Sequence, residues 1–189
     1  MKFLNLLFNK ILYSKPDKIF ICERNNIMNI TIRRVSIEDL NKVTKVEVNC
    51  FPEAEAASKT SLEERIRTFP ESFFVAEIDG EIIGFINGCI INGTVIYDKL
   101  YEDSTLHNPK GDYQTIFGLD VIPGYRNQGI AAKLMNYMIE VSLEAGRRGI
   151  ILTCKKKLIN YYTKFGYVNM GISKSVHGGA LWYDMILKF

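Results

Sequence analysis

The sequence predicts a mixed α/β domain, a sheet of short strands flanked by helices in the order β-α-α-β-β-β-α-β-α-β-β. Three observations point there. Short apolar runs alternate with stretches whose apolar residues recur at helical spacing. Asp79-Gly80 sits between two such runs and reads as a hairpin turn. Residues 118–132 pass from an apolar strand through Pro123-Gly124 into a helix that opens on small residues.

The elements follow in order. Ile30, Ile32 and Val35 flank polar Thr31 and Arg33, which reads as a first strand. Ser36 then caps a helix, with Asp39 in the position of a capping-box acid and Leu40, Val43 and Val46 as its apolar stripe. Residues 51–59 read as a loop or broken helix and 61–69 as a second helix. Residues 73–78 and 81–91 form the hairpin. A polar excursion covers 92–112, and 113–121 is the central strand. The next helix carries Leu134, Met138, Val141 and Ala145 on one stripe and stops at Gly146. A strand over 149–154, a short helix over 158–165 and strands over 167–170 and 180–187 complete the domain. Its expected extent is 28–189. Residues 1–27 form an N-terminal extension whose Phe3, Leu4, Leu7, Phe8 and Ile11 suggest an amphipathic helix. Asn5, Asn9 and Lys10 interrupt that run, which is far short of the roughly 20 apolar residues of an integral membrane span.

Bulk properties narrow the function. A chain of 189 residues buries a core without staples. A net charge of +3 without a basic arm gives no case for nucleic acid. The four cysteines lack CxxC spacing; disulfides fit the count, and isolated thiols in a reducing cytoplasm fit the scatter. Two histidines are too few for a histidine-rich centre, so no metal is expected.

The strand-turn-helix junction carries the chemistry. An Arg-x-x-Gly-x-Ala core, Arg126 to Ala131, places backbone N–H groups at a helix start where they lack intrahelical partners and where the dipole is positive. A diphosphate suits that end. Gly129 has no Cβ to hold a ligand off, and Ala131 and Ala132 keep the next turn clear.

Leu119, Val121, Pro123, Tyr125, Arg126, Gly129 and Ala131 together resemble motif A of the GNAT superfamily of acetyl-CoA-dependent N-acetyltransferases. The Tyr-Tyr-x-x-Phe-Gly-Tyr segment at 161–167 is similar to that superfamily's motif B. The resemblance implies a strongly twisted mixed sheet with a bulged central strand, and acetyl-CoA as co-substrate. It maps pantetheine and acetyl contacts to Leu119, Asp120 and Val121, and phosphate contacts to Arg126, Asn127, Gln128, Gly129, Ile130, Ala131 and Ala132. Tyr162 falls where the superfamily's general-acid tyrosine lies; an aromatic tunnel wall is the other reading, and Tyr161 is expected to pack inward. A finer resemblance covers residues 30–189. Cys50-Phe51-Pro52-Glu53-Ala54-Glu55 and Phe69-Pro70-Glu71 look like the bacterial branch of the arylalkylamine N-acetyltransferases, with His177-Gly178-Gly179-Ala180-x-Trp182 as a C-terminal echo.

Two departures matter. The vertebrate enzymes carry two histidines on the central strand, where Thr115 and Phe117 stand here, so deprotonation of the amine needs another route. A carboxylate, water or an amine that arrives neutral would serve. Glu55 and Glu53 are the nearest carboxylates, each either a base or a solvated acid. Glu55 is the expected base, with Phe51, Glu53, Thr115 and Phe117 lining the amine pocket; His177 is a further candidate or a locally satisfied loop residue. Lys155 replaces an asparagine seven residues before the tyrosine. Lys155, Lys156 and Lys157 approach the CoA 3′-phosphate or simply form a solvated edge. The implied reaction is acetyl transfer to a primary amine, an arylalkylamine or polyamine, directly within a ternary complex, with Cys154 the one thiol to check as an acyl carrier. Protein N-terminal or lysine acetylation, and a non-catalytic acyl-CoA sensor, stay open. A cytoplasmic location and a homodimer through the C-terminal strands complete the expectation.

Overall fold

The computed structural model describes residues 29–189. The extension over 1–27 and Cys22 lie outside the described residues. The elements run β1 (Thr31–Arg34), α1 (Leu40–Cys50), α2 (Lys59–Thr68), β2 (Phe73–Ile78), β3 (Glu81–Asn87), β4 (Ile90–Ile91), α3 (Lys99–Glu102), β5 (Tyr113–Ile116), β6 (Gly118–Val121), α4 (Ile130–Glu144), β7 (Gly149–Cys154), α5 (Ile159–Thr163), β8 (Val168–Ile172) and β9 (Tyr183–Lys188). The polar excursion therefore holds a short helix, α3.

Both long strands expected from the sequence break, and at the same level. The run over 81–91 divides into β3 and β4 around Gly88 and Cys89, and 113–121 divides into β5 and β6 at Phe117. Two sheets result, one ordered β1-β2-β3-β6 and the other β4-β5-β7-β9-β8. All pairings are antiparallel except β5 with β7. At the break, the Gln114 side-chain amide donates to the carbonyls of Gly88 (2.9 Å) and Cys89 (3.1 Å), and Ser72 Oγ donates to Gln114 Oε1 at 2.9 Å. These bonds satisfy buried main-chain oxygens where the regular ladder stops. A Cβ at Gly88 would lie 2.0 Å from the Thr115 carbonyl oxygen, so the strands meet this closely only because the residue is glycine.

The break creates the cleft. The β5–β7 register ends at Ile116 opposite Leu152, while β6 pairs with β3 alone. Beyond Leu152 the two strands diverge, leaving one edge of β6 open opposite Thr153 and Cys154.

α1 and α2 cover the first sheet, burying Val43, Val46, Leu62 and Ile66 against Val75, Ile82 and Phe85. β1 is tied in by Arg33, which bonds both Asp39 (2.6 Å) and Glu77 (2.7 Å), while Asp39 Oδ2 accepts the Ser36 amide of the capping box at 2.9 Å. α4 spans both sheets. Its buried face is Ile130, Leu134, Met135, Met138 and Ser142, rotated from the expected stripe: Val141 is half-buried and Ala145 exposed. The i, i+4 row starting at Ile130 faces both sheets, and this tertiary contact outweighs the local pattern. At the far edge, β8 leaves Val168, Met170 and Ile172 exposed.

Candidate active site

At the cleft's wide end β6 runs into a short 3-10 turn, Pro123–Tyr125, and then into α4. Asn127 (φ 62°) and Gly129 (φ 78°) are both left-handed, the geometry that turns successive amides toward one side. Gly129 is the N-cap of α4, and none of the described residues lies within 4 Å of where its Cβ would be. The first-turn amides of Ile130, Ala131 and Ala132 have no intrahelical acceptor. The Arg126 side chain folds back, its Nε donating to the Val121 carbonyl at 2.8 Å, which braces the turn against the strand.

From this helix end a cavity of about 750 Å³ runs between β6 and β7 to the region under the α1–α2 loop. Leu119, Asp120 and Val121 line its β6 wall, and Arg126, Asn127, Gly129, Ile130, Ala131 and Ala132 line its mouth. Tyr162 on α5 lines it from the opposite side, with Phe51, Glu55 and Phe117 at the far end. Three expected site residues point elsewhere. Gln128 bonds the Gly124 carbonyl and is exposed, as is Glu53. Thr115 is wholly buried, its hydroxyl donating to the Cys89 carbonyl at 2.9 Å. In an unbroken strand Thr115 and Phe117 would share a face; the break at Phe117 separates them, and only Phe117 lines the cavity.

Tyr162 is 8% exposed, and burial, then the neighbouring Cys154, Tyr161 and Asp120, raise its phenol above the ordinary tyrosine value. It therefore stays protonated and available as a donor at neutral pH. Tyr161 packs edge-on against it and against the core, yet also lines the cavity, its hydroxyl buried without a partner among the described residues. Cys50 and Cys154 both line the cavity, so the cleft holds one more thiol than expected. Burial pushes each up to about 11, with the Asp120 charge adding to the effect at Cys50. Such thiols stay protonated and are poor acyl carriers.

The far end combines rings with ionisable groups. Glu55 Oε1 is 2.6 Å from Lys155 Nζ, whose ammonium lies 5.6 Å from the centre of the Trp182 ring. His177 stacks on Tyr101 at 4.7 Å and its Nε2 is 3.1 Å from the Glu55 carbonyl oxygen, so this histidine is locally held. Buried Arg65 lies over Phe117, 5.0 Å from the ring centre, and donates to the Tyr101 carbonyl at 2.9 Å. Arg65, Tyr101 and Glu47 escaped the sequence reading. The signal for Glu47 and Arg65 was position: each sits inside an apolar stripe, beside Val46 and Ile66.

Lys155→Met should destabilise the fold, because it strips the ion partner from a Glu55 side chain that is 9% exposed and whose Oε2 lacks a donor among the described residues. Breaking a buried pair costs about 3–5 kcal/mol. Lys155 is one-third exposed, so screening reduces the expected loss to about 1–3 kcal/mol in urea denaturation. The Glu55→Gln/Lys155→Met double variant should recover most of it, and a fully stable single variant contradicts this account.

The family model described as "Acetyltransferase (GNAT) family" matches residues 40–167, more than half of the chain. The protein belongs to the GNAT acetyltransferase family. The match runs from α1 through the cradle to the turn after α5, and so includes most of the cavity lining. Among similar proteins, "Probable hydrolase YhcX" of Bacillus subtilis is 27% identical over 130 residues, 65% of this chain but only 25% of that protein. Serotonin N-acetyltransferase of Mesocricetus auratus is 26% identical over 173 residues, covering 83% of this chain and 81% of that one. The crystal structure of the PaiA N-acetyltransferase from Thermoplasma acidophilum in complex with coenzyme A superposes with a TM-score of 0.66 at 21% identity, covering 86% of this chain and all of that one. At that identity the likeness establishes the fold.

Proposed function

We propose that this GNAT protein acetylates a small primary amine from acetyl-CoA, by direct transfer within a ternary complex, and that the acceptor is an arylalkylamine. One observation carries the reading. A single cavity joins an anion-binding helix start, an open strand edge, a buried phenol and a far end of aromatic rings and carboxyl groups.

Each part has a task. The amides of residues 129–132 meet the diphosphate. The open edge of β6 receives the pantetheine arm, and a main-chain N–H there polarises the acetyl carbonyl. Tyr162 gives its proton to the departing thiolate. Phe117, Tyr101 and Trp182 pack against an aromatic ring, and the carboxyl groups draw the ammonium. An aliphatic polyamine has no ring to stack against them, which favours the aryl acceptor. The high thiol values of Cys50 and Cys154 favour transfer without an acyl-enzyme.

The test is CoA release with a panel of arylalkylamines, polyamines and peptide N-termini. The expected result is turnover highest with an arylalkylamine and no acetyl-protein when acetyl-CoA is supplied alone. Tight acetyl-CoA binding with no turnover of any amine would point instead to an acyl-CoA-binding module.

A further inference from the structure

Two buried carboxyl groups from different elements line the cavity. Glu47 projects from α1 and Asp120 from β6, each 4% exposed. The two carboxyls act on each other's ionisation, and neighbouring carboxyls that cannot both ionise cheaply hold one proton between them. Glu47 is fixed by the Ala57 amide, which donates to its Oε1 at 2.7 Å. Asp120 Oδ2 is buried and has no hydrogen-bond donor among the described residues. That is an unpartnered acceptor beside the strand edge, two residues beyond the start of β6. Glu55, the base expected from the sequence, is held by Lys155.

We propose that the Glu47–Asp120 pair, acting through Asp120, takes the proton of the acceptor amine. This rests on the acetyltransferase reading above. The singly ionised pair removes one proton from R–NH3⁺, leaving R–NH2. The nitrogen lone pair forms the N–C bond to the acetyl carbon as the C–S bond breaks. The thiolate takes the proton carried by Tyr162, and the proton left on the acetylated nitrogen restores the phenol. The pair then returns its proton to solvent. Ammonium plus thioester has become amide, thiol and one proton.

Charged and titratable groups on every side set the pair's behaviour. Burial raises Asp120 well above the carboxylate range, the neighbouring Glu47 carboxyl adds to this, and Arg126 opposes it. Burial likewise raises Glu47 against the Ala57 amide, Arg65 from α2, and His177. Cys50 and Tyr162 face Asp120 from α1 and α5. Two carboxyls that cannot both ionise cheaply titrate in separate steps, and the upper step moves toward neutrality. The base exists only above that step, so kcat/KM rises with pH through it. Stability runs the other way. A carboxyl whose folded value is raised contributes fully below the unfolded carboxylate value, and that contribution is lost as pH rises through the folded one.

The experiment measures kcat/KM against pH for two amines of well-separated pKa, with the wild-type protein, Asp120→Asn and Glu47→Gln. The expected result is one rising step at the same pH for both amines. Asp120→Asn should erase it and lower kcat about 10²-fold. Glu47→Gln should move the step down toward the ordinary carboxylate range. Acetyl-CoA affinity by calorimetry should be unchanged in both variants, because the contacts expected from β6 to pantetheine are main-chain ones that neither substitution removes. Thermal midpoints at neutral pH should hold or rise in Asp120→Asn, the opposite of what a purely structural acid would give. A step that follows each amine's own pKa, or a full-rate Asp120→Asn, overturns the proposal while leaving the acetyltransferase standing. A wild-type protein that turns over no amine overturns both.

Discussion

Gly129→Asp is expected to weaken acetyl-CoA binding about 10²-fold while leaving the protein folded. The two halves of that result have separate causes. Gly129 has φ 78°, which costs an L-residue something, but none of the described residues lies within 4 Å of the new Cβ and aspartate tolerates the left-handed region better than most residues. The new carboxylate also stands at the N-cap of α4, where it accepts from the first-turn amides and is stabilised by the helix dipole. That bond is the source of the binding loss, because the same amides are proposed to hold the diphosphate. The variant fills the anion site with its own side chain and adds like-charge repulsion. Charge-assisted hydrogen bonds contribute about 1.5–3 kcal/mol each, so losing one or two accounts for the expected factor. Gly129→Asn caps without charge and should lose less. Calorimetry and thermal melts check both variants, and unchanged affinity in Gly129→Asp removes the helix start from the binding account.

Tyr162→Phe should lower kcat about 10²-fold, the scale of a lost general acid, with acetyl-CoA affinity and thermal stability retained. The ring is what packs: it lies 5.3 Å from Tyr161 and 5.9 Å from Tyr167, contacts that phenylalanine keeps. Only the proton is removed. Because burial raises the phenol, followed by the Cys154, Tyr161 and Asp120 charges, the wild-type kcat should show no alkaline loss near pH about 10, where an ordinary tyrosine ionises. A rate that falls at that pH means the phenol is solvated. A full-rate phenylalanine variant would make Tyr162 a wall of the cleft and leave the thiolate to be protonated by water.

How much of the site was legible depends on the distance over which each feature is decided. The cradle was legible because it is local. A left-handed glycine, a Pro-Gly turn and a helix start are fixed by residues within one turn of each other, and the structure has Gly129 at the α4 N-cap. Tyr162 was legible by spacing, four residues before Gly166. The strand breaks were not. Residues 113–121 carry the same apolar pattern whether they stay in one sheet or cross between two, and the crossing is set by Gln114 reaching the carbonyls of Gly88 and Cys89.

The chain's own pattern therefore determined the element order, the α/β class and the left-handed turn at the start of α4, since propensity and turn chemistry act over a few residues. Tertiary structure alone decided the ionisable groups. Glu55 and Lys155 are 100 residues apart yet 2.6 Å apart in space. Glu47 and Asp120, 73 residues apart, face one cleft only because α1 and β6 bury both beside it. An acid's role follows from its desolvation and its neighbours' charges, and both are properties of the packed molecule.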